Sequence, residues 1–220
     1  MKTDITIKHI CFDLDGTLIN SFPTIYKSTL KALRRLNIPE LLHEEDLHNR
    51  IGYHFMDIFD ELKIPVKDVE HFINIYKSFY FDFIDESEIY PGVIDALKRI
   101  QSNKILISLL TTKGQDQAEK IISHFDLDKF FNAIMGRRDN VPVKPSPVPL
   151  LKICNELRVA PDESLIVGDT ELDINCGKNA GTKTCAVTYG YRDKELLLNE
   201  NPDYLVDNMT ELISCLPILK

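Results

Sequence analysis

The 220-residue sequence predicts an α/β fold: a Rossmann-like parallel sheet with helices on both faces, plus an inserted all-helical domain. Three observations predict it. From Tyr90 onward, short apolar runs alternate with helical stretches, the pattern of parallel strands joined by helical crossovers. Between Ile19 and Ile89 only helical periodicity is found. That stretch also holds 11 of the 19 Phe and Tyr residues, and 8 Lys and Arg against 13 Asp and Glu, so its composition sets it apart. The expected division is an α/β core domain of residues 1–18 and 90–220 and a helical inserted domain of residues 19–89.

Ile5 to Phe12 is an apolar strand that ends at Asp13-Leu14-Asp15-Gly16-Thr17. A helix follows from Pro23, with Tyr26, Leu30, Leu33 and Leu36 on one face, and Asn37 and Pro39 stop it. Glu44 to Arg50 and Phe55 to Leu62 are shorter helices around Gly52. Val66 to Ile84 is a longer one whose apolar stripe (Val69, Phe72, Ile73, Tyr76, Phe79, Tyr80, Phe83) is read as the insert's own core. Past Tyr90-Pro91-Gly92, helices over Val93 to Ile100, Gln115 to Phe125, Val148 to Leu157 and Glu171 to Asn179 alternate with strands. The strands are Ile105 to Leu110, Ala133 to Met135, Leu165 to Val167 and Thr184 to Val187, and a helix over Met209 to Leu216 closes the chain.

Composition narrows the function. Hydrophobic residues make up 44% and charged residues 27%, ordinary for a globular protein. A net charge of −8 disfavours nucleic-acid binding, which needs a basic surface. The five cysteines show no CxxC spacing and read as reduced thiols. Met1 to Asn20 carries charges and no apolar core of a signal peptide, and no uncharged apolar run approaches the ~18–20 residues of a membrane helix. A cytoplasmic protein with no membrane contact, monomeric or homodimeric, is expected.

Four groups of residues fall where strands end. Asp13 and Asp15 are two carboxylates just past a buried strand, costly unless a cation or proton is shared between them, and Gly16 lets backbone approach an anion. Thr111-Thr112-Lys113 places hydroxyls and free N–H groups where a phosphate oxygen can be held, although a helix cap alone would also account for it. Lys144 sits in a Pro-dense loop, Val141 to Pro149, as a fixed charge for an oxyanion. Asp169 follows the next strand, and Asp173 comes one helical turn later on the same face. Carboxylates from two strand ends suit Mg²⁺.

Together, Asp13-Leu14-Asp15-Gly16-Thr17-Leu18, Thr111-Thr112-Lys113, Lys144-Pro145 and Gly168-Asp169 with Asp173 resemble the four ordered motifs of the haloacid dehalogenase (HAD) superfamily. The match runs from Phe12 to Gly181. Tyr90-Pro91-Gly92-Val93, Asn179-Ala180-Gly181 and the helical insert make the sequence similar to phosphoglycolate phosphatases and their relatives. The resemblance implies a Mg²⁺-dependent phosphatase of a small phosphorylated metabolite, working through an aspartyl-phosphate on Asp13. Asp15 would be the general acid and then the base. Asp13, Asp169 and the backbone carbonyl of Asp15 would hold the metal, with Asp173 a ligand through water or a partner of Lys144. Thr111, Thr112, Lys144 and Gly16 would bind the phosphoryl group. Arg50, Tyr53 and His54, around Gly52, are expected to read the rest of the substrate.

Some features depart from parts of the superfamily. Asp15 argues against dehalogenase and phosphonatase chemistry, and Gly168-Asp169 lacks the Glu-Asp pair usual in β-phosphoglucomutase-like members. Gly136-Arg137-Arg138-Asp139 is more basic than the acidic stretch expected of many phosphoglycolate phosphatases. The alternatives are a pyrophosphatase, a β-phosphoglucomutase-like phosphotransferase, and a catalytically idle metabolite-binding regulator.

Overall fold

Four consecutive buried residues, His9–Phe12, form the first strand, β1. They belong to a computed structural model that describes residues 7–39 and 41–216. Ile5 and Thr6, expected in the same strand, lie outside the described residues. The chain continues through β2 (Ile19–Asn20), α1 (Phe22–Arg35), α2 (Glu44–His48), α3 (Phe55–Leu62), α4 (Val69–Tyr80) and β3 (Glu88–Ile89). Next come α5 (Val93–Ser102), β4 (Leu106–Gly114), α6 (Gln115–His124), β5 (Ala133–Arg137), α7 (Val148–Leu157) and β6 (Ser164–Gly168). The last are α8 (Glu171–Ala180), β7 (Lys183–Val187), α9 (Lys194–Asn199), β8 (Tyr204–Val206) and α10 (Met209–Cys215).

Six strands form one sheet in the order β5-β4-β1-β6-β7-β8, every pairing parallel. Parallel strands are covered on both faces, which is why these runs are almost continuously apolar. On one face α7 and α8 bury Leu150, Ile153, Cys154, Cys176 and Ala180 against Cys11, Leu110, Met135 and Ile166. α5 and α6 pack on β4, and α5 also on α10. From β1 the chain first adds β4 and β5 on one side, then β6 to β8 on the other. That reversal opens a crevice at the carboxyl ends of the central strands, where ligands bind in open α/β sheets. Phe12 is level with Leu109 and Val167, so the residues just past each strand end meet at one height.

A histidine and two serines meet inside this sheet. His9 on β1 is fully buried, its Nε2 2.8 Å from Ser108 Oγ on β4 and its Nδ1 3.0 Å from Ser164 Oγ on β6. Burial pushes its pKa down to about 4. An unfolded chain protonates this ring near pH 6.5 and the folded chain only near 4. Between those values the unfolded state binds more protons, so stability falls as the pH falls, by roughly 3 kcal/mol across the window. Urea unfolding at about pH 7 and about pH 4.5 is expected to show a smaller pH effect in His9→Asn than in the parent protein. Equal pH effects in the two proteins would remove His9 as the cause.

The chain divides into two compact units, one made of the segments up to Leu18 and from Ile89 onward, the other Ile19–Glu88. The second unit is built on aromatic packing. Phe59 and Phe72 meet edge to face at 4.8 Å, and Phe55 packs on Phe72 and Tyr76 at 5.0 and 4.9 Å. Phe72, Ile73, Tyr76 and Tyr80 of α4 are buried. The apolar stripe of α4 is therefore core, and it accounts for the aromatic excess of this segment.

Four details differ from the sequence expectation. α4 begins at Val69 because Asp68 caps it, its Oδ1 accepting from His71 N at 2.9 Å. The insert is not wholly helical: β2 and β3 pair as a two-stranded ribbon where the chain enters and leaves it. On α1 the buried face is Phe22, Ile25, Ser28, Thr29, Ala32 and Leu33, with Tyr26 and Leu30 only half-buried. α9 and β8, between the expected last strand and last helix, add a sixth strand to the sheet.

Candidate active site

Asp13 stands one residue beyond β1, its backbone N–H donating to Val167 O at 2.9 Å. This ties the nucleophile candidate to the end of β6. Lys144 Nζ lies 2.8 Å from Asp13 Oδ1 and 2.5 Å from Asp173 Oδ1, and its side chain is only 2% exposed. Burial raises the Asp13 carboxyl well above its usual range; Lys144 opposes the shift, and Asp173 and Asp169 add to it. Burial works against the charge of Lys144, but Asp13 and Asp173 more than offset it and hold the ammonium protonated.

Asp169, one residue past β6, is fully buried. Its two oxygens are both held: Thr17 Oγ1 donates to Oδ1 at 2.9 Å and Tyr191 N to Oδ2 at 2.8 Å. Thr17 is fixed in turn by Tyr189, whose hydroxyl donates to Thr17 O at 2.8 Å. Burial and Asp173 push Asp169 up to about 7 against these hydrogen bonds. Asp173 occupies the first turn of α8, where its Oδ2 accepts from Thr170 N at 3.1 Å and Thr170 Oγ1 at 2.7 Å. This is the favourable end of a helix for a carboxylate. The same helix fastens the Lys144 loop: Asn179 Nδ2 donates to Pro145 O and Cys176 Sγ to Ser146 O, both at 3.2 Å.

Gly16 has φ +81°, and a Cβ there would overlap the Asp169 carboxylate and the Tyr191 ring. Gly16→Ala is therefore expected to displace Asp169 and lower kcat/KM by about 100-fold or more, since a shift of ~1 Å at a reacting group costs that much. Steady-state kinetics with a circular-dichroism check of folding tests this; kinetics like those of the parent protein would contradict it.

Asp13, Asp169 and Asp173 each offer an oxygen, and these atoms lie within 4.8 Å of one another. Three buried carboxylates facing one ammonium leave an excess of negative charge that a cation would balance. An all-oxygen donor set of this kind suits a hard divalent ion such as Mg²⁺. The residues present fit the metal. Asp173 is the partner of Lys144 and also belongs to the acidic cluster. The Asp15 carboxylate is not among the clustered groups; its oxygens face Lys113.

Thr111 and Thr112 lie inside β4 rather than after it. The register of β4 on β5 shifts between Leu110 and Gly114, an irregularity that re-aims side chains beside a site. Thr111 is buried, and its Oγ1 accepts from Lys113 N at 3.2 Å, a role that does not use its own O–H. Thr112 is half-buried.

Arg50, Tyr53 and His54 belong to the helical unit, where two of them have structural work. Arg50 donates to Glu61 Oε1 at 2.6 Å and to Asp46 O at 2.8 Å. His54 caps α3, its Nδ1 accepting from Met56 N at 3.3 Å. Tyr53 is 45% exposed.

Sequence reasoning missed two sets of contacts. Lys113 donates to both oxygens of Asp15 at 2.9 Å, a partnership across 98 positions whose only trace is the Lys of Thr111-Thr112-Lys113. Tyr189, Gly190 and Tyr191 seat Asp169 from the loop after β7, and no local pattern announces them.

A carboxylate just past the central strand with a second two residues on, a buried lysine and a further acidic strand end, on a parallel sheet with a largely helical insert, define the class. The family profile of haloacid dehalogenase-like hydrolases matches residues 10–187. The chain belongs to this family and is an enzyme of its phosphatase branch. Pyrophosphatase PpaX of Bacillus cereus strain Q1 is 36% identical over 214 residues, covering 97% of this chain and 96% of that protein. A predicted phosphoglycolate phosphatase from Haemophilus somnus superimposes with a TM-score of 0.86 at 25% identity, over 95% of this chain and 97% of that one. A haloacid dehalogenase-like hydrolase of Streptococcus pneumoniae superimposes with a TM-score of 0.85 at 26% identity, over 95% and 98%.

Proposed function

We propose that this protein is a Mg²⁺-dependent phosphatase that takes the phosphoryl group from a small phosphorylated compound onto Asp13 and then releases it to water. The observation that carries this reading is the Asp13 carboxylate itself. It is fixed at the end of the central strand and shares Lys144 with Asp173. Asp13 attacks phosphorus, and one displacement becomes two easier ones. Lys144 and Thr111 bind the equatorial oxygens, where charge develops in the transition state. Asp15 gives a proton to the leaving oxygen and later takes one from the attacking water. Bound Mg²⁺, held by Asp13, Asp169 and Asp173, would neutralise the repulsion between carboxylate and phosphate.

The pyrophosphatase relative favours inorganic pyrophosphate as the substrate within this class. The phosphoglycolate phosphatase-like fold keeps phosphoglycolate as the second reading. The helical unit is read as a cap, with Arg50, Tyr53 and His54 selecting the leaving group. Arg50→Ala and His54→Ala are then expected to lower kcat/KM; if neither does, this loop takes no part in selection. Five free thiols suit a reducing compartment, and we place the protein in the cytoplasm. Among the described residues no helix is long and apolar enough to cross a membrane.

A phosphate-release panel that includes pyrophosphate, phosphoglycolate, sugar phosphates and an aryl phosphate, with and without Mg²⁺, tests the proposal. Metal-dependent release from at least one compound is expected. No release from any of them, or release indifferent to chelator, would overturn it.

A further inference from the structure

Asp169 receives the hydrogen bond on its Oδ2 from a stretch with neither helix nor strand, the chain between β7 and α9. The donor is the Tyr191 N–H, at 2.8 Å. The next residue, Arg192, reaches back to Glu171. Its Nε donates to Glu171 Oε2 at 2.9 Å and its Nη2 to Oε1 at 3.4 Å. The two side chains are only 5% and 15% exposed. Glu171 opens α8, two residues past Asp169. The pair therefore ties the segment that carries the donor to the segment that carries the carboxylate. The fit beside it is close, since a Cβ on Gly190 would stand 2.3 Å from Asp169 Cβ. Burying two paired charges adds little net stability, because apolar side chains of the same volume often do as well. Stability alone does not account for an ion pair at this place.

We infer, on the reading of Asp169 as a metal ligand given above, that Arg192 and Glu171 are positioning residues that set the affinity of the site for its divalent cation. A carboxylate offers about four acceptor directions, two on each oxygen. Thr17 takes one on Oδ1 and Tyr191 one on Oδ2, so the directions left to a cation are fixed by where these donors stand. Without the Arg192–Glu171 tie the segment that carries Tyr191 is free to shift and the carboxylate to turn. Cation binding then includes the cost of ordering both again. Partners that orient a metal ligand in this way change its affinity by about 10–100-fold. Neither residue belongs to the acidic cluster itself, which is Asp13, Asp169 and Asp173. A simple field effect has a different signature. Removing a nearby cation would strengthen the binding of another, and removing a nearby anion would weaken it, so the two single changes would act in opposite directions. Positioning makes both of them weaken binding.

The test titrates Mn²⁺ into the full chain and counts the free ion by electron paramagnetic resonance, Mn²⁺ taking the same octahedral oxygen sites as Mg²⁺. The variants are Arg192→Met, Glu171→Gln and the two changes together. The double variant removes both charges, so it buries no lone charge and keeps the parent's net charge; it carries the test where a single variant does not fold. The double variant is expected to bind Mn²⁺ about 10-fold more weakly than the parent, and both single variants to bind it more weakly as well. Urea unfolding without metal is measured beside each. Parent-like affinity in the double variant, with or without a lowered unfolding midpoint, would make the pair merely structural and overturn the inference. Tighter binding in Arg192→Met with weaker binding in Glu171→Gln would reduce the pair to its field and overturn it too. A parent that binds Mn²⁺ but releases no phosphate from any compound of the panel removes the phosphatase reading and leaves the inference to these titrations. A parent that binds no Mn²⁺ removes both.

Discussion

Asp13→Asn is expected to fold and to lose turnover by roughly four orders of magnitude or more, because the amide keeps the shape of the carboxylate and removes the nucleophile. The contacts that fix this position survive the change: its backbone N–H still donates to Val167 O, and Lys144 keeps Asp173. Stability should therefore move much less than rate. Phosphate release, measured beside a urea unfolding curve, separates the two. Activity within about 10-fold of the parent would show that another group attacks phosphorus.

Lys144→Met has the second large effect, and it falls on both stability and rate. The substitution leaves Asp13 and Asp173 buried without their shared ammonium, beside a third carboxylate at Asp169. Removing one partner of a buried ion pair costs about 3–5 kcal/mol. Urea unfolding without a divalent metal should show a loss of that size, and saturating Mg²⁺ should recover part of it by occupying the same carboxylates. The rate should fall by about 1,000-fold, since the charge that steadies the transferring phosphoryl group is gone. An unchanged unfolding midpoint with metal removed would contradict the electrostatic account of the site.

How much of this was readable from the chain depended on whether the signal was local. Asp13, Asp15 and Asp169 stand directly after apolar strands, so strand detection and site detection were one step. Lys144 was marked by the proline-dense loop around it, and Asp173 by its helical spacing from Asp169. The Asp15–Lys113 pair was hidden because Thr-Thr-Lys at a strand end fits a helix cap equally well. Only the tertiary fold brings residues 98 positions apart into contact. Tyr191 gives Asp169 its backbone N–H, and a backbone donor leaves no mark in a side-chain pattern.

The fold was legible to a similar degree and for similar reasons. The alternation after Tyr90 identified the parallel sheet, but β8 is three residues long between Asp203 and Asp207, too short for its apolar character to register. The β2–β3 ribbon joins two residues to two others across the whole insert, a pairing set by topology rather than by local propensity. His9 is polar in an otherwise apolar run, and its place in the sheet is explained only by Ser108 and Ser164 on the neighbouring strands.

The central claim is that Asp13 carries the phosphoryl group between the two steps. The most direct test is to quench the enzyme in acid during turnover and map the protein by mass spectrometry. One phosphoryl group on the peptide containing Asp13, absent from Asp13→Asn and removed by hydroxylamine as an acyl phosphate should be, is the predicted result. Robust turnover with no covalent phosphate, or with the label on a different residue, would contradict the account.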